Sequence, residues 1–547
     1  MNLTPLEEEA LVLAIDVESP MAIRHVFIES DLRTRTSVIE RQLSAAYSAR
    51  TFAGVYTALH DAERRFKGMG LFNALEITCV PAEGGSGNEV DLVIRAEEKS
   101  AGVGGGSVHT DPVDGQITAS INGKLRGALG FGTILAGSVD WKGRDVSDAF
   151  SVELSKVHPF ASETAASLKL HSETINCRSE ASYDLKSAGV TARVSTVDRR
   201  HEVAYTAAAR QIIAMEHSEL SELRPASARV LDEMGLVSLK SSIAYTLRLD
   251  TRDSNLVPTK GGLLKVHTEF AGPGGNARFL KSALNAQIAL PIGGTGAVLA
   301  LRAMASGVLH PTDVATRSIA DRVFLGGIGQ MRGFSARGVG GECQPNGDGV
   351  RLCCALFSRT QRHKAPCVWR CAALPVCCSK THTTRSLSLS LSLSCLLSLS
   401  LSCLLSLSLP HSLALSSLSL FSLSRSPCVA NAHRRGQFDR LGGDLAASGS
   451  AMIHFPLPLP ILRDIGMRGC FHASGGSLVD IGRAGNTPID ALRTSVSNLG
   501  GTMRYSAGAG LLAATPFGRL DISYSHIFHA LACDVQRKWQ FGISAGD

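Results

Sequence analysis

No convincing transmembrane helix can be drawn in this 547-residue chain, because almost every apolar run is broken within about ten residues and a span needs about 20. Charge is scarce as well: only 19% of residues are Asp, Glu, Lys or Arg, and aromatics make up 5%. Mean hydropathy is nevertheless slightly positive, at +0.11. A weakly charged chain with 54 glycines and no helical span fits a transmembrane β-barrel. The strands of such a barrel need about 9–11 residues and a single apolar face. Composition alone also admits a soluble all-β protein. The net charge of +7 comes from scattered basic residues, so nothing in it points to nucleic acid. The N-terminus, Met1-Asn-Leu-Thr-Pro-Leu-Glu-Glu-Glu9, has neither a secretory apolar core nor an Arg/Ser-rich transit helix. This favours a eukaryotic barrel inserted from the cytosol, in mitochondrion or plastid, over a bacterial one.

Metal-site spacing is missing too. Nine of the fourteen cysteines lie between Cys353 and Cys428, with Cys79, Cys177, Cys343, Cys470 and Cys533 dispersed. None forms the paired C-x₂-C arrangement of a zinc site, so no metal and no cofactor is expected. Catalytic patterns fail on context. Gly542-Ile-Ser-Ala-Gly546 has the G-x-S-x-G form, but one residue follows it and no helix can complete a nucleophile elbow. Gly327-Ile-Gly-Gln-Met-Arg-Gly333 is one residue off the dinucleotide fingerprint and precedes no clear helix. An enzyme is not expected.

What is present divides the chain. After a tail over 1–20, residues 21–98 read as one small α+β unit, β-α-α-β-β. Ala22–Glu29 forms a strand; Ser37-Val-Ile-Glu40 has the pattern of a capping box; Ile39, Leu43 and Ala46 share a helix face. Val55, Leu59, Ala62 and Phe66 continue a second helix, stopped by Gly68 and Gly70. Leu75, Ile77 and Cys79, then Val90, Leu92 and Ile94 after the Gly84–Gly87 turn, alternate as strands. From about 102 to 308 alternation is continuous: Ile243, Tyr245, Leu247 and Leu249 oppose Thr246, Arg248 and Asp250. It resumes after Gln437, with strands over 443–455, 464–474, 502–514, 518–525 and 538–546. Between them, about 350–435 breaks the pattern with Ser386-Leu-Ser-Leu-Ser-Leu-Ser-Leu-Ser394 and further Ser-Leu repeats. A CT dinucleotide repeat encodes alternating Ser and Leu in any frame, which points to a retained intron or mis-predicted exon.

One block stands out: Phe324-Leu-Gly-Gly-Ile-Gly-Gln-Met-Arg-Gly-Phe334, a single arginine in a glycine-dense loop among membrane-like strands. Such an arginine is costly unless it faces a polar interior and finds a partner. The block resembles the loop-six signature of the outer-membrane barrel assemblase superfamily, where an Arg-Gly-Phe/Tyr tip folds into the barrel. Asp250-Thr-Arg-Asp253 with Pro258-Thr-Lys-Gly-Gly262 is similar to the family's upstream strand-turn-strand. Ala507-Gly-Ala-Gly-Leu511, Thr515-Pro-Phe-Gly518 and Leu520-Asp-Ile-Ser-Tyr524 resemble its C-terminal hairpin. The unit over 21–98 resembles a POTRA domain. One such unit without a signal peptide is most similar to the core barrel subunits of the mitochondrial sorting and assembly machinery.

The resemblance implies a mainly β fold: a transmembrane barrel of about sixteen antiparallel strands over 101–547, interrupted at about 350–435, behind one POTRA-like domain. It implies insertion of unfolded β-barrel precursors into the mitochondrial outer membrane, alongside accessory subunits, through a lateral seam between first and last strands. Arg332, Gly333 and Phe334 would form the loop tip, and Asp521 is the expected partner of Arg332, since Leu520, Ile522 and Tyr524 should face lipid. Gly102, Gly104, Gly105 and Gly106 on the first strand, with Gln540 and Gly542 on the last, would flank the seam. Two departures stand out. Phe471-His-Ala-Ser-Gly475 lacks the family's Asn or Asp beside a Gly, and the terminal strand puts Ala545 and Asp547 at hydrophobic positions of a β-signal. A plastid envelope protein, a passive channel and a soluble β-rich binding protein remain alternatives.

Overall fold

The computed structural model describes residues 18–544, apart from 85–87, 111–116, 129, 143–148, 160–161, 215–225, 311–316, 342, 346–437, 459–465, 482–494, 498 and 516–517. The N-terminal tail through 17, the Ser-Leu repeats, the cysteines from Cys353 to Cys428, and Ala545 and Asp547 therefore lie outside the described residues.

Residues 20–98 form an α+β unit. Its elements are β1 (Ala22–Ile28), α1 (Thr36–Gln42), α2 (Ser44–Ser48), α3 (Phe52–Met69), β2 (Phe72–Pro81) and β3 (Glu89–Glu98). β3 is central, parallel to β1 and antiparallel to β2. The helices bury Val38, Ile39, Leu43, Ala62 and Phe66 against Phe72 and Ile94. Thr51 caps α3, its hydroxyl accepting from Gly54 N at 3.2 Å, and Gly70 ends it in the left-handed region at φ 67°. The first helix differs from the expected capping box. It begins before Ser37, with Arg35 at the cap position and no side-chain cap, and it breaks at fully buried Leu43. Its start is instead set by the neighbouring sheet, where Arg35 N donates to Gly130 O at 2.9 Å.

Eighteen strands follow, all but two in one sheet: β4 (Gly102–Thr110), β5 (Ile117–Ala128), β6 (Thr133–Lys142), β7 (Ala149–Val157), β8 (Thr164–Asn176), β9 (Tyr183–Thr196), β10 (His201–Ala214), β11 (Val237–Asp250), β12 (Gly261–Ala271), β13 (Phe279–Ile292), β14 (Ala297–Leu309), the short β15 (Cys343–Pro345) and β16 (Phe438–Arg440), then β17 (Leu445–Pro456), β18 (Met467–Val479), β19 (Arg504–Thr515), β20 (Gly518–His529) and β21 (Trp539–Ser544). Sixteen pair in chain order from β4 to β21, with β14 joined directly to β17. Each ladder described is antiparallel, and β4 and β21 come side by side without a ladder between them. The result is a barrel closed everywhere but at one seam.

Alternation does what a bilayer requires of it. Ile121, Val139, Phe150, Val152, Leu170, Tyr245 and Phe541 point outward and are exposed, whereas residues between them turn to the interior. A girdle of exposed apolar side chains this extensive exceeds what a soluble monomer normally shows. Among the described residues no helix is long and apolar enough to cross a membrane.

The α+β unit sits at the end of the barrel where β4 begins. The Arg35 guanidinium stacks over the Phe131 ring at 4.1 Å, and Gln42 Nε2 donates to His158 O at 3.0 Å. These contacts involve the β5–β6 turn and the residue after β7. Strand direction places both at that end. Within the unit, next to these contacts, Glu98 ties the end of β3 to the segment before α1, accepting from Arg33 N and Nε (3.1 and 2.7 Å) and from Thr34 N and Oγ1 (3.0 and 2.6 Å). Burial alone would raise the Glu98 pKa, but those four donors outweigh it and hold the carboxyl below its ordinary range.

At the opposite end, the two flanks of residues 346–437 meet. Cys343, Gln344 and Pro345 pair with Arg440, Asp439 and Phe438, so the chain leaves and returns at neighbouring points.

Candidate functional site: an inward loop clamped to the last strands

The connection between β14 and β17 turns back into the barrel. Glycines make the turn possible: Gly326, Gly327 and Gly333 have φ of 134°, 90° and 87°. At Gly333 a Cβ would meet Ser506, Ser525 and Ile527 at 3.1–3.3 Å, so the tip fits against β19 and β20 only without a side chain. Met331 and Phe334 are fully buried and pack with Leu325, Val339, Ala446 and Leu478. These apolar anchors hold a polar tip.

Arg332 lies between them. Its Nη1 and Nη2 donate to Asp521 Oδ1 and Oδ2 at 2.8 and 2.5 Å, a fork matching both carboxylate oxygens. Both residues are under a tenth exposed. Asp521 faces inward because Leu520, Ile522 and Tyr524 occupy the other parity of β20. Arg519, on the inward parity two residues earlier, also donates to Asp521 Oδ2 at 3.0 Å. One carboxylate thus serves two guanidinium groups.

The backbone of the tip is held too. Ser506 Oγ donates to Arg332 O at 2.5 Å, and Arg537 N donates to Gly333 O at 2.8 Å. Gln540 bonds twice: its Oε1 accepts from Gly333 N at 2.9 Å, and its Nε2 donates to Phe334 O at 2.7 Å. Gln540 was expected only as a seam residue; the structure turns its side chain inward, onto the loop. Gly542 pairs with Asp521 across the β20–β21 ladder. Gly102, Gly104, Gly105 and Gly106 lie exposed on β4, remote from the loop's hydrogen bonds, and pair with β5.

Ion pairs fasten the rest of the loop. Arg210 meets Asp321 at 2.6 Å, Arg317 meets Asp444 at 2.6 Å, and Arg322 meets Asp480 at 2.7 Å. Arg504 and Asp534, both fully buried, pair at 3.1 Å, and Asp534 also accepts from Gly340 N at 2.8 Å. Sequence reading missed Arg519, Arg504 and Asp534. Arg519 was legible in principle, since period two puts it beside Asp521 on the inner face. Asp534 lies outside any strand and gave no periodic signal.

An open antiparallel sheet of sixteen strands with an inward Arg-Gly-Phe loop is thus in place when the chain is compared with known proteins. The Omp85 superfamily domain matches residues 128–545. The chain belongs to the Omp85 superfamily. As an Omp85 protein it is similar to a SAM50-like protein of Schizosaccharomyces pombe, 27% identical over 343 residues that cover 60% of this chain and 70% of that protein. It is 25% identical over 356 residues to the sorting and assembly machinery component 50 homolog of Bos taurus, covering 62% and 72% respectively. Its fold matches a crystal structure of BamA from Haemophilus ducreyi lacking POTRA domains 1–3. The TM-score is 0.64, with 13% identity over 96% of this chain and 84% of that one. The mainly β, sixteen-strand architecture expected of an Omp85 protein is the one found.

Proposed function

We propose that this Omp85 chain inserts and assembles β-barrel precursors into the mitochondrial outer membrane, through the seam between β4 and β21. The observation that carries the reading is the seam itself. Every neighbouring pair of barrel strands forms a ladder except these two, among the described residues. In hydrocarbon an unpaired backbone N–H or C=O costs several kcal/mol, so a nascent strand in lipid has nowhere stable to rest. An edge that is already present offers those groups partners, and pairing proceeds by strand addition. No bond is made or broken covalently, so the activity requires no catalytic group or cofactor.

The similarity to SAM50-like proteins supports the mitochondrial outer membrane as the site and unfolded barrel precursors as the cargo. Accessory subunits would complete the machinery. The α+β unit over 20–98 serves as a POTRA-like domain at the mouth of the barrel. The loop lies across the lumen, which favours an assembly role over a passive pore. Arg332, Gly333, Phe334 and Asp521 act as the internal brace that keeps the last strands in register while the seam opens.

The test is reconstitution of the full chain in liposomes, followed by the appearance of a protease-resistant, labelled barrel precursor. Cysteine pairs introduced across β4 and β21 in a background lacking the other thiols should block insertion when oxidised and restore it on reduction. Insertion that persists with the seam cross-linked would sink the seam mechanism.

A further inference from the structure

Two cysteines far apart in the chain meet at the end of the barrel away from the α+β unit. Cys343 opens β15, and Cys533 lies in the connection between β20 and β21. Neither is in a disulfide, and both are partly exposed. A Cβ added at Gly340 would stand 2.5 Å from Cys343 Sγ and 2.8 Å from Cys533 Cβ. The two side chains therefore flank one point, and the glycine leaves room for them to approach. Their thiols hydrogen-bond to each other.

Other groups hold the backbone on both sides of this meeting. Gly340 N donates to Asp534 Oδ1 at 2.8 Å. Arg504 Nη2 donates to Gly340 O at 2.5 Å, while its Nε donates to Asp534 Oδ2 at 3.1 Å. Cys343 pairs with Arg440 across the β15–β16 ladder, and Arg440 Nε donates to Cys533 O at 2.6 Å. The segments carrying the two sulfurs are thus ordered by folding itself, so a bond between them demands little further ordering.

The pair is chemically unequal as well. The hydrogen bond from Cys343, helped by the Arg440 guanidinium, outweighs burial and holds the Cys533 thiol below its ordinary range. The same hydrogen bond, with burial, pushes the Cys343 thiol up. A thiolate-prone sulfur beside a proton-bearing one suits thiol–disulfide exchange, in which one sulfur attacks and the other resolves.

We infer that Cys343 and Cys533 form a reversible disulfide, a redox modification site whose co-reactant is a small-molecule disulfide of the glutathione class. The Cys533 thiolate attacks one sulfur of that disulfide, whose S–S bond breaks and releases a thiolate. Cys343 then gives up its proton, attacks the Cys533 sulfur of the mixed disulfide and releases the second thiolate. Both protons pass through water to the released thiolates. The protein dithiol is oxidised and the small disulfide is reduced to two thiols. The new bond ties the end of the inward loop to the β20–β21 connection, and it does not depend on the seam mechanism.

The experiment uses the full chain in detergent, with heat-modifiable gel mobility as the check on folding. Oxidised glutathione is added, remaining thiols are blocked with N-ethylmaleimide, and digested peptides are mapped by mass with and without dithiothreitol. A Cys343–Cys533 linked peptide should appear and should vanish on reduction, while buried Cys470 stays reduced. Cys343→Ser should stop at a stable glutathione adduct on Cys533. In the unsubstituted chain at neutral pH, iodoacetamide should modify Cys533 about tenfold faster than Cys79. Cys79 is the more exposed of the two, but burial of its sulfur pushes its thiol up. The peptide map of the unsubstituted chain decides the matter even if the variant does not fold. Absence of the linked peptide, or pairing of either cysteine with thiols between Cys353 and Cys428 instead, would overturn the proposal. Equal alkylation of Cys533 and Cys79 would overturn the role of Cys533 as the attacking sulfur.

Discussion

The two strands that flank the seam are held in opposite ways. β21 is clamped from inside: Gln540 bonds the loop tip twice, its neighbour β20 carries Asp521, and Arg537 just before it bonds Gly333. Among the described residues, β4 pairs with β5 and takes none of the loop's hydrogen bonds. Its glycines at 102, 104, 105 and 106 are exposed, and a Cβ at Gly102 would meet nothing within 4 Å. A seam with one fixed and one bare edge should open by movement of the bare one. On the proposed function the inward loop is less a plug than a splint for the terminal hairpin, and it would keep one side of the gate in register while the other gives way.

The comparison can be broken most severely at Asp521. In Asp521→Ala two buried guanidinium groups lose their shared carboxylate, which is expected to cost about 3–5 kcal/mol. Folded, heat-modifiable protein should fall sharply and precursor insertion with it. If Asp521→Ala folds and inserts normally, the fixed edge is not fixed by the brace. Next comes Gln540→Ala, which leaves Gly333 N without its partner inside the barrel, takes one of two donors from Phe334 O, and should cost about 1–3 kcal/mol. Its signature is local: amide exchange should accelerate in β21 and the loop tip while β8 to β12 stay protected.

The bare edge is sharpened by Gly104→Val. The site is open, so the β-branched side chain should stiffen β4 and raise stability by up to about 1 kcal/mol, while insertion slows. Faster insertion would reverse the assignment of the moving edge. A smaller effect is expected inside the α+β unit, where Glu98 holds the segment before α1. Glu98 titrates below its unfolded value, so its contribution is complete above the ordinary carboxylate range and is lost as pH falls through the lower, folded value. Proteolytic cleavage in the segment around Arg33 and Thr34 should therefore rise on acidification, and Glu98→Gln should flatten that dependence. The least change of all is expected from replacing residues 346–437 by a two-residue Asn-Gly turn. Their flanks already pair, and the clamp should survive; loss of the folded barrel would show that the segment is needed.

Much of this was legible in the chain, and the reason is periodicity. Leu520, Ile522 and Tyr524 facing out forces Asp521 in, and the glycines around Arg332 announce a sharp inward turn. Strand extents followed from the same alternation, with boundaries off by a few residues: the strand read as 464–474 runs from Met467 to Val479. What escaped was whatever depends on distant parts meeting. The target of Gln540 lies 207 residues away, and Arg504 finds Asp534 in a segment with no strand pattern. The start of α1 against the barrel turn at Gly130 and its break at buried Leu43 are likewise set by packing, which local propensity does not report.

Parity gives the seam one more property. Sixteen antiparallel strands leave β4 and β21 running in opposite directions. A guest sheet lodged between them can meet both edges in antiparallel fashion only if it contributes an even number of strands. An odd guest must accept one parallel contact or leave one lip unbonded. Hairpins are therefore the natural increment of growth in this gap, and a precursor caught between two hairpins should be held by one lip alone.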